Sequence, residues 1–228
     1  MEAKDMPCEN TTASSVRSCR TIGDFLYLVG VHHLGHIFLA QERGGFQFGA
    51  FIADGVRAPR MKELPPIIQK GVLFHRWVDW QTDRHPAFLA ARRLLRPVAG
   101  RYAGLIVDLW LDVVLGEKWH ELSTEPLEAF AEGFIQETLV PHRQWVPPTW
   151  HGLVESLERE GLLLRFATAE GMLAHIERFI QRRGLPIQAE VVQKALETHQ
   201  PALKELLGRF WQDAQSWQRR ADTFAQKP

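Results

Sequence analysis

The chain has 228 residues, 45% hydrophobic and 24% charged, with 27 Lys/Arg against 27 Asp/Glu. That is enough apolar material for one sizeable core, which excludes a wholly disordered chain. A formal net charge of zero argues against a general nucleic-acid binder, which is normally basic overall.

Charge is nevertheless uneven. From Arg57 to Arg101 there are ten Lys/Arg and three Asp/Glu. This suits a surface for an acidic or phosphorylated partner, or equally a solvated basic helix face. The two cysteines, Cys8 and Cys19, lie in a polar stretch and indicate no disulfide framework, so a cytoplasmic, reducing compartment is expected.

Residues 1–20 are polar and charged and read as a disordered N-terminal tail, leaving 21–228 as one helical domain. Thr21 can cap a helix running to Gln41. Its apolar run from Phe25 to Ala40 is interrupted by His32, His33 and His36. It is too short and polar to span a bilayer and lacks a clear signal cleavage site, so no membrane span is expected. Gly44-Gly45 breaks this helix, and a short helical segment follows over 46–56. Pro65-Pro66 opens a helix to Gln81, another takes 87–95, and Pro97 and Gly100 mark a turn. A strongly apolar helix covers 101–117, followed by helices over 125–138, 149–160, 168–183, 187–198 and 201–224. Period-2 alternation is hard to find, so the expected fold is all-α.

Four of these segments carry candidate chemistry. His75, Asp79 and Asp83 recur at i, i+4 and i+8 and so lie roughly along one helix face. Asp108 and Asp112 are i, i+4 on a helix otherwise built of Leu, Ile, Val and Trp. Two carboxylates on a buried helix need a partner, whether a metal, a histidine or an arginine such as Arg76. Asp54 follows the apolar run Gly49-Ala50-Phe51-Ile52-Ala53, where an Asp also serves as an ordinary cap or turn residue. His32 and His36 are i, i+4 and could reach one ion, whereas His33 is turned about 100° away from its neighbour. A buried His also serves as a hydrogen-bonded core residue. Mixed imidazole and carboxylate ligation suits Mn, Fe or Zn more than Ca. Such a metal can activate water for hydrolysis.

The order of these pieces resembles the bacterial acyl-carrier-protein phosphodiesterase family. The pieces are the helix ending His36-Ile37-Phe38-Leu39-Ala40, then Gly49 to Asp54, His75-Arg76-Trp77-Val78-Asp79-Trp80-Gln81-Thr82-Asp83, Asp108-Leu109-Trp110-Leu111-Asp112, and Trp119. The resemblance runs from about residue 30 through the C-terminal helices. It implies a single-domain helical bundle related to the HD-type metallophosphohydrolases. The implied reaction is release of 4′-phosphopantetheine from holo acyl carrier protein with a divalent metal, typically manganese, with iron or magnesium as alternatives. The implied partner is the acidic carrier protein, or failing that a phosphorylated small molecule. His36, Asp54, His75, Asp79 and Asp112 would form the metal shell. Arg76 would neutralise phosphate charge and Asp83 would orient a His or water, with His32, His33 and Asp108 behind them.

The chain departs from the family pattern at three points, one of them His32-His33-Leu34-Gly35-His36, where the family usually has Asn-Phe-Leu-Ala-His. Val113 stands where the family has His, and Ala50 where it has Asn. A valine can neither ligate a metal nor shuttle a proton. Three readings follow: the family phosphodiesterase, a related metalloenzyme with another substrate, and a non-catalytic binder of carrier protein or phosphate.

Overall fold

The computed structural model describes residues 33–41 and 43–226, so the expected tail, the start of the first helix and His32 lie outside the described residues. Helix α1 (His33–Ala40) is buried along its whole length. It is therefore a central helix and not an amphipathic surface one. Around it stand α2 (Gly45–Ile52), α4 (Pro66–Thr82) and α6 (Ala103–Glu117), and α3 (Ala58–Met61) is a single turn between α2 and α4. Helix α5 (Pro86–Ala99) packs on α6 and on α13 (Gln200–Ala214). The rest of the chain adds α7 (Trp119–Leu122), α8 (Leu127–Gly133), α9 (His151–Glu160), α10 (Leu162–Phe166), α11 (Ala169–Arg183), α12 (Ala189–Thr198) and α14 (Gln218–Gln226). Among the described residues there is no β-strand, as expected. One hydrophobic cluster runs from Leu34 to Ala221.

The helix starts follow local chemistry. Pro66 and Pro86 occupy the first turns of α4 and α5, where a missing N–H costs nothing. His85 caps α5 through Nδ1, which accepts from the Ala87 N–H at 3.3 Å.

Two of the departures from the expected boundaries have a clear physical cause. Helix α5 does not stop before Pro97 but continues through it to Ala99. The proline sits in the last turns, so it removes one backbone bond while Leu95 and Ala99 remain fully buried. The helix expected over 201–224 is broken by a 3₁₀ turn at Gln215–Trp217. There Trp217 packs edge-on against Trp77 and Phe210, at centroid distances of 5.8 and 5.5 Å. No Pro or Gly marks that break.

The site rests on two close approaches. Where α2 crosses α4, a Cβ on Gly49 would lie 2.1 Å from the Ile68 carbonyl oxygen, and one on Gly71 would lie 2.0 Å from that of Phe46. Only hydrogens fit at this crossing, so the two backbones touch. Beneath it, the buried Gln47 donates from Nε2 to the Ile37 carbonyl at 2.9 Å, tying α2 to α1. Its Oε1 accepts from the Thr138 hydroxyl at 2.8 Å.

Candidate metal centre

His75 lies one turn beyond Gly71 on α4, and Ala50 directly follows Gly49 on α2. The glycine crossing therefore brings the His75 ring against the α2 backbone, where Nδ1 donates to the Ala50 carbonyl at 2.7 Å. That bond fixes the tautomer and leaves Nε2 as the free ligand nitrogen. The side chain at position 50 plays no part in this contact, so the alanine departure leaves it intact.

His36 on α1 stacks on His75 with ring centroids 3.6 Å apart and planes 15° from parallel. Both rings are buried, at 1% and 2% exposure. Asp79, one turn along from His75, reaches both of them. Its Oδ1 lies 3.2 Å from His36 Nε2 and its Oδ2 lies 3.3 Å from His75 Nε2. Asp54, in the 3₁₀ turn Ala53–Gly55 at the end of α2, comes within 3.4 Å of His75 Nε2. Ligand atoms of His36, His75 and Asp79 all lie within 4.8 Å of one another.

The electrostatics follow from this packing. Burial opposes charge on His75, but the Asp79 and Asp54 carboxylates outweigh it and raise the imidazole pKa well above its ordinary value. The surroundings of Asp79 also oppose its ionisation, yet the two imidazoles hold its carboxyl far below the usual range. A cation is therefore favoured between these groups.

A divalent metal fits the arrangement on independent grounds. His75 Nε2 is buried with no well-directed hydrogen bond among the described residues. Two imidazoles and a carboxylate are the donors that Mn, Fe and Zn take.

The other expected site residues separate. Asp112 is fully buried on α6, but its oxygens accept from the backbone amides of Leu34 and Gly35 at 3.1 and 2.9 Å. It thus holds the N-terminal end of the described part of α1, and it stands outside the His36, His75 and Asp79 group. His33 packs among Phe51, Trp150 and Phe166 instead of joining the other imidazoles. Arg76 is exposed, and its Nη2 donates to the Val56 carbonyl at 3.1 Å, two residues beyond Asp54.

Asp83 was expected to orient a His or water; among the described residues its side chain makes no hydrogen bond to His36 or His75. It sits near Asp108 and Asp79, and burial together with those charges raises its pKa. Backbone carbonyl Ala50 does the orienting, a contact that side-chain spacing does not reveal. Val113 is a core residue at 1% exposure.

Residues 31–214 match the family described as acyl carrier protein phosphodiesterase. Curated relatives named acyl carrier protein phosphodiesterase from Salmonella agona, Klebsiella pneumoniae and Salmonella heidelberg are each 28% identical over 182 residues, 79% of this chain and 92% of theirs. No solved structure gives a significant match. With most of its length matched, the chain belongs to the acyl carrier protein phosphodiesterase family.

Proposed function

We propose that this protein is a divalent-metal-dependent phosphodiesterase that releases 4′-phosphopantetheine from holo acyl carrier protein. The observation that carries this reading is the Asp79 carboxylate spanning two stacked, buried imidazoles inside a chain of that family. His36, His75 and Asp79 would hold the ion, with Asp54 at its edge. Manganese is the metal favoured by the family resemblance and allowed by the donors, with iron and magnesium behind it. When bound, the ion supplies Lewis-acid polarisation of a phosphoryl oxygen and lowers the pKa of water.

The chain's own residues account for the rest. Ala50 holds His75 in the ligating tautomer, and Asp112 fixes the helix that carries His36. The exposed guanidinium of Arg76, planar and permanently charged, would receive the substrate phosphate. The basic stretch is displayed for an acidic partner: Arg57, Lys62, Arg84, Arg92, Arg93, Arg96 and Arg101 are all exposed. No helix among the described residues is long and apolar enough to cross a membrane. A carrier-protein substrate of this kind would be met in the cytoplasm.

The absence of an imidazole at Val113 favours a second reading, a binder of carrier protein or phosphate that does not turn it over. One experiment separates the two. Protein purified without chelator is analysed for metal, then assayed for phosphopantetheine release with manganese, iron, magnesium and zinc. Metal at near one equivalent, with turnover abolished by Asp79→Ala, supports the first reading. Carrier-protein capture without turnover, unchanged by Asp79→Ala, supports the second.

A further inference from the structure

Next to the metal centre lies a cavity of about 640 Å³, within the range of small-molecule sites. Two of its lining residues sit on or against elements that carry the centre. His33, one turn before His36 on α1, lines it, and so does Trp150. Trp150 also lies against the turn that carries Asp54, because Gly55 has no side chain there: a Cβ would meet the indole at 3.0 Å.

The cavity is amphipathic. Its floor holds Trp150 and Phe166, at 4% and 2% exposure. Helix α11 supplies the other side from one face, with His175, Arg178 and Arg182 at i, i+3 and i+7. Both arginines are exposed at the rim. Arg178 spends only Nε, on the Ala174 carbonyl at 3.1 Å. Neither guanidinium is paired with a carboxylate among the described residues. The lining acid Glu160 instead faces Arg165 at 3.5 Å. His175 packs edge-on against Phe166, and its Nε2 is buried without a hydrogen-bond partner among the described residues.

An apolar floor, a buried unsatisfied imidazole nitrogen and two open guanidinium forks recur together where a ligand has a greasy body and an anionic head. We propose that this cavity is a second ligand site, separate from the metal centre, for a small amphipathic anion. Its carboxylate, sulfonate or phosphate head meets Arg178 and Arg182, and its aromatic or short aliphatic body lies on Trp150 and Phe166. The metal chemistry needs none of these groups, so the site stands whether or not the phosphodiesterase reading does.

Calorimetric titration of the full chain in EDTA tests the site, using naphthalene-2-sulfonate, 2-naphthol and inorganic sulfate as probes. Saturable binding of the sulfonate is expected, at least tenfold tighter than either the neutral naphthol or sulfate. The doubly substituted Arg178→Gln, Arg182→Gln protein should lose at least tenfold in affinity with an unchanged melting temperature. Leu153→Trp, which fills the cavity, should lose binding too. Asp79→Ala should bind the sulfonate like the parent, which separates this site from the metal centre. Equal binding of naphthol and sulfonate, or full sulfonate affinity in the doubly substituted protein, overturns the proposal.

Discussion

Gly49 and Gly71 interlock where α2 crosses α4: a Cβ on either residue would sit about 3 Å from the other's Cα. This contact sets the distance between two helices and, one turn along, the hydrogen bond from His75 to the Ala50 carbonyl. Gly71→Ala puts a methyl group 2.0 Å from the Phe46 carbonyl oxygen, and backbone cannot rotate away as a flexible side chain can. Overpacking of this kind costs on the order of 3 kcal/mol. For a chain of this length that is a fall in melting temperature of roughly 6–12 °C. Metal affinity should fall as well, because the separated helices no longer pin His75. Thermal unfolding and metal titration measure the two effects. A variant as stable as the parent would show that the crossing is looser than described.

Asp112→Asn distinguishes two roles for a fully buried carboxylate. Here both oxygens accept from the backbone amides of Leu34 and Gly35. The amide replacement keeps one acceptor and removes the charge. We expect a loss of about 2 kcal/mol in urea unfolding, with metal affinity within a few-fold of the parent. Loss of metal from a protein that remains folded and equally stable would restore Asp112 to the metal shell.

Much of this site is legible in the residue pattern. The i, i+4 spacing of His75 and Asp79 places them on one face of α4, and His36 and Asp54 come within 3.4 Å of them. What spacing could not decide is which buried carboxylate faces metal and which faces backbone. Asp112 looks like a ligand because a buried charge demands a partner, but backbone amides can serve as that partner as well as a metal can. The break at Gln215–Trp217 was hidden for a similar reason. It is fixed by Trp217 packing against Trp77 and Phe210, a tertiary contact with no local turn residue to announce it.

The basic face should act on association more than on chemistry. Arg92, Arg93 and Arg96 are exposed on α5, and Arg92 is near enough to Asp83 to favour its ionised form. The positive surface thus reaches toward the end of α4 that carries Asp79. Replacing all three with Glu should weaken binding of an acidic carrier protein by more than tenfold at low salt, mainly through the association rate. The deficit should shrink as ionic strength rises. Stopped-flow binding at two salt concentrations measures it. A loss that is equal at both concentrations is inconsistent with an electrostatic role.

His175 gives the fold a defined acid sensitivity. Burial, with Arg178 and Arg182 behind it, depresses its pKa from 6.5 to about 4. Between those values the unfolded chain binds a proton that the folded chain refuses. Stability from this residue is therefore complete above about pH 6.5 and is lost as pH falls toward 4, at up to ~1.4 kcal/mol per pH unit. His175→Phe keeps a ring against Phe166 and cannot titrate. The difference in unfolding free energy between parent and variant should thus shift by about 3 kcal/mol between pH 7 and pH 4, in favour of the variant at the acid end. Arg178→Gln removes one of the two charges that oppose protonation, so the same change should still begin near pH 6.5 but be complete at a higher pH than in the parent, and be smaller. Parallel unfolding curves for parent and His175→Phe across this range would mean that the imidazole is solvated in both states.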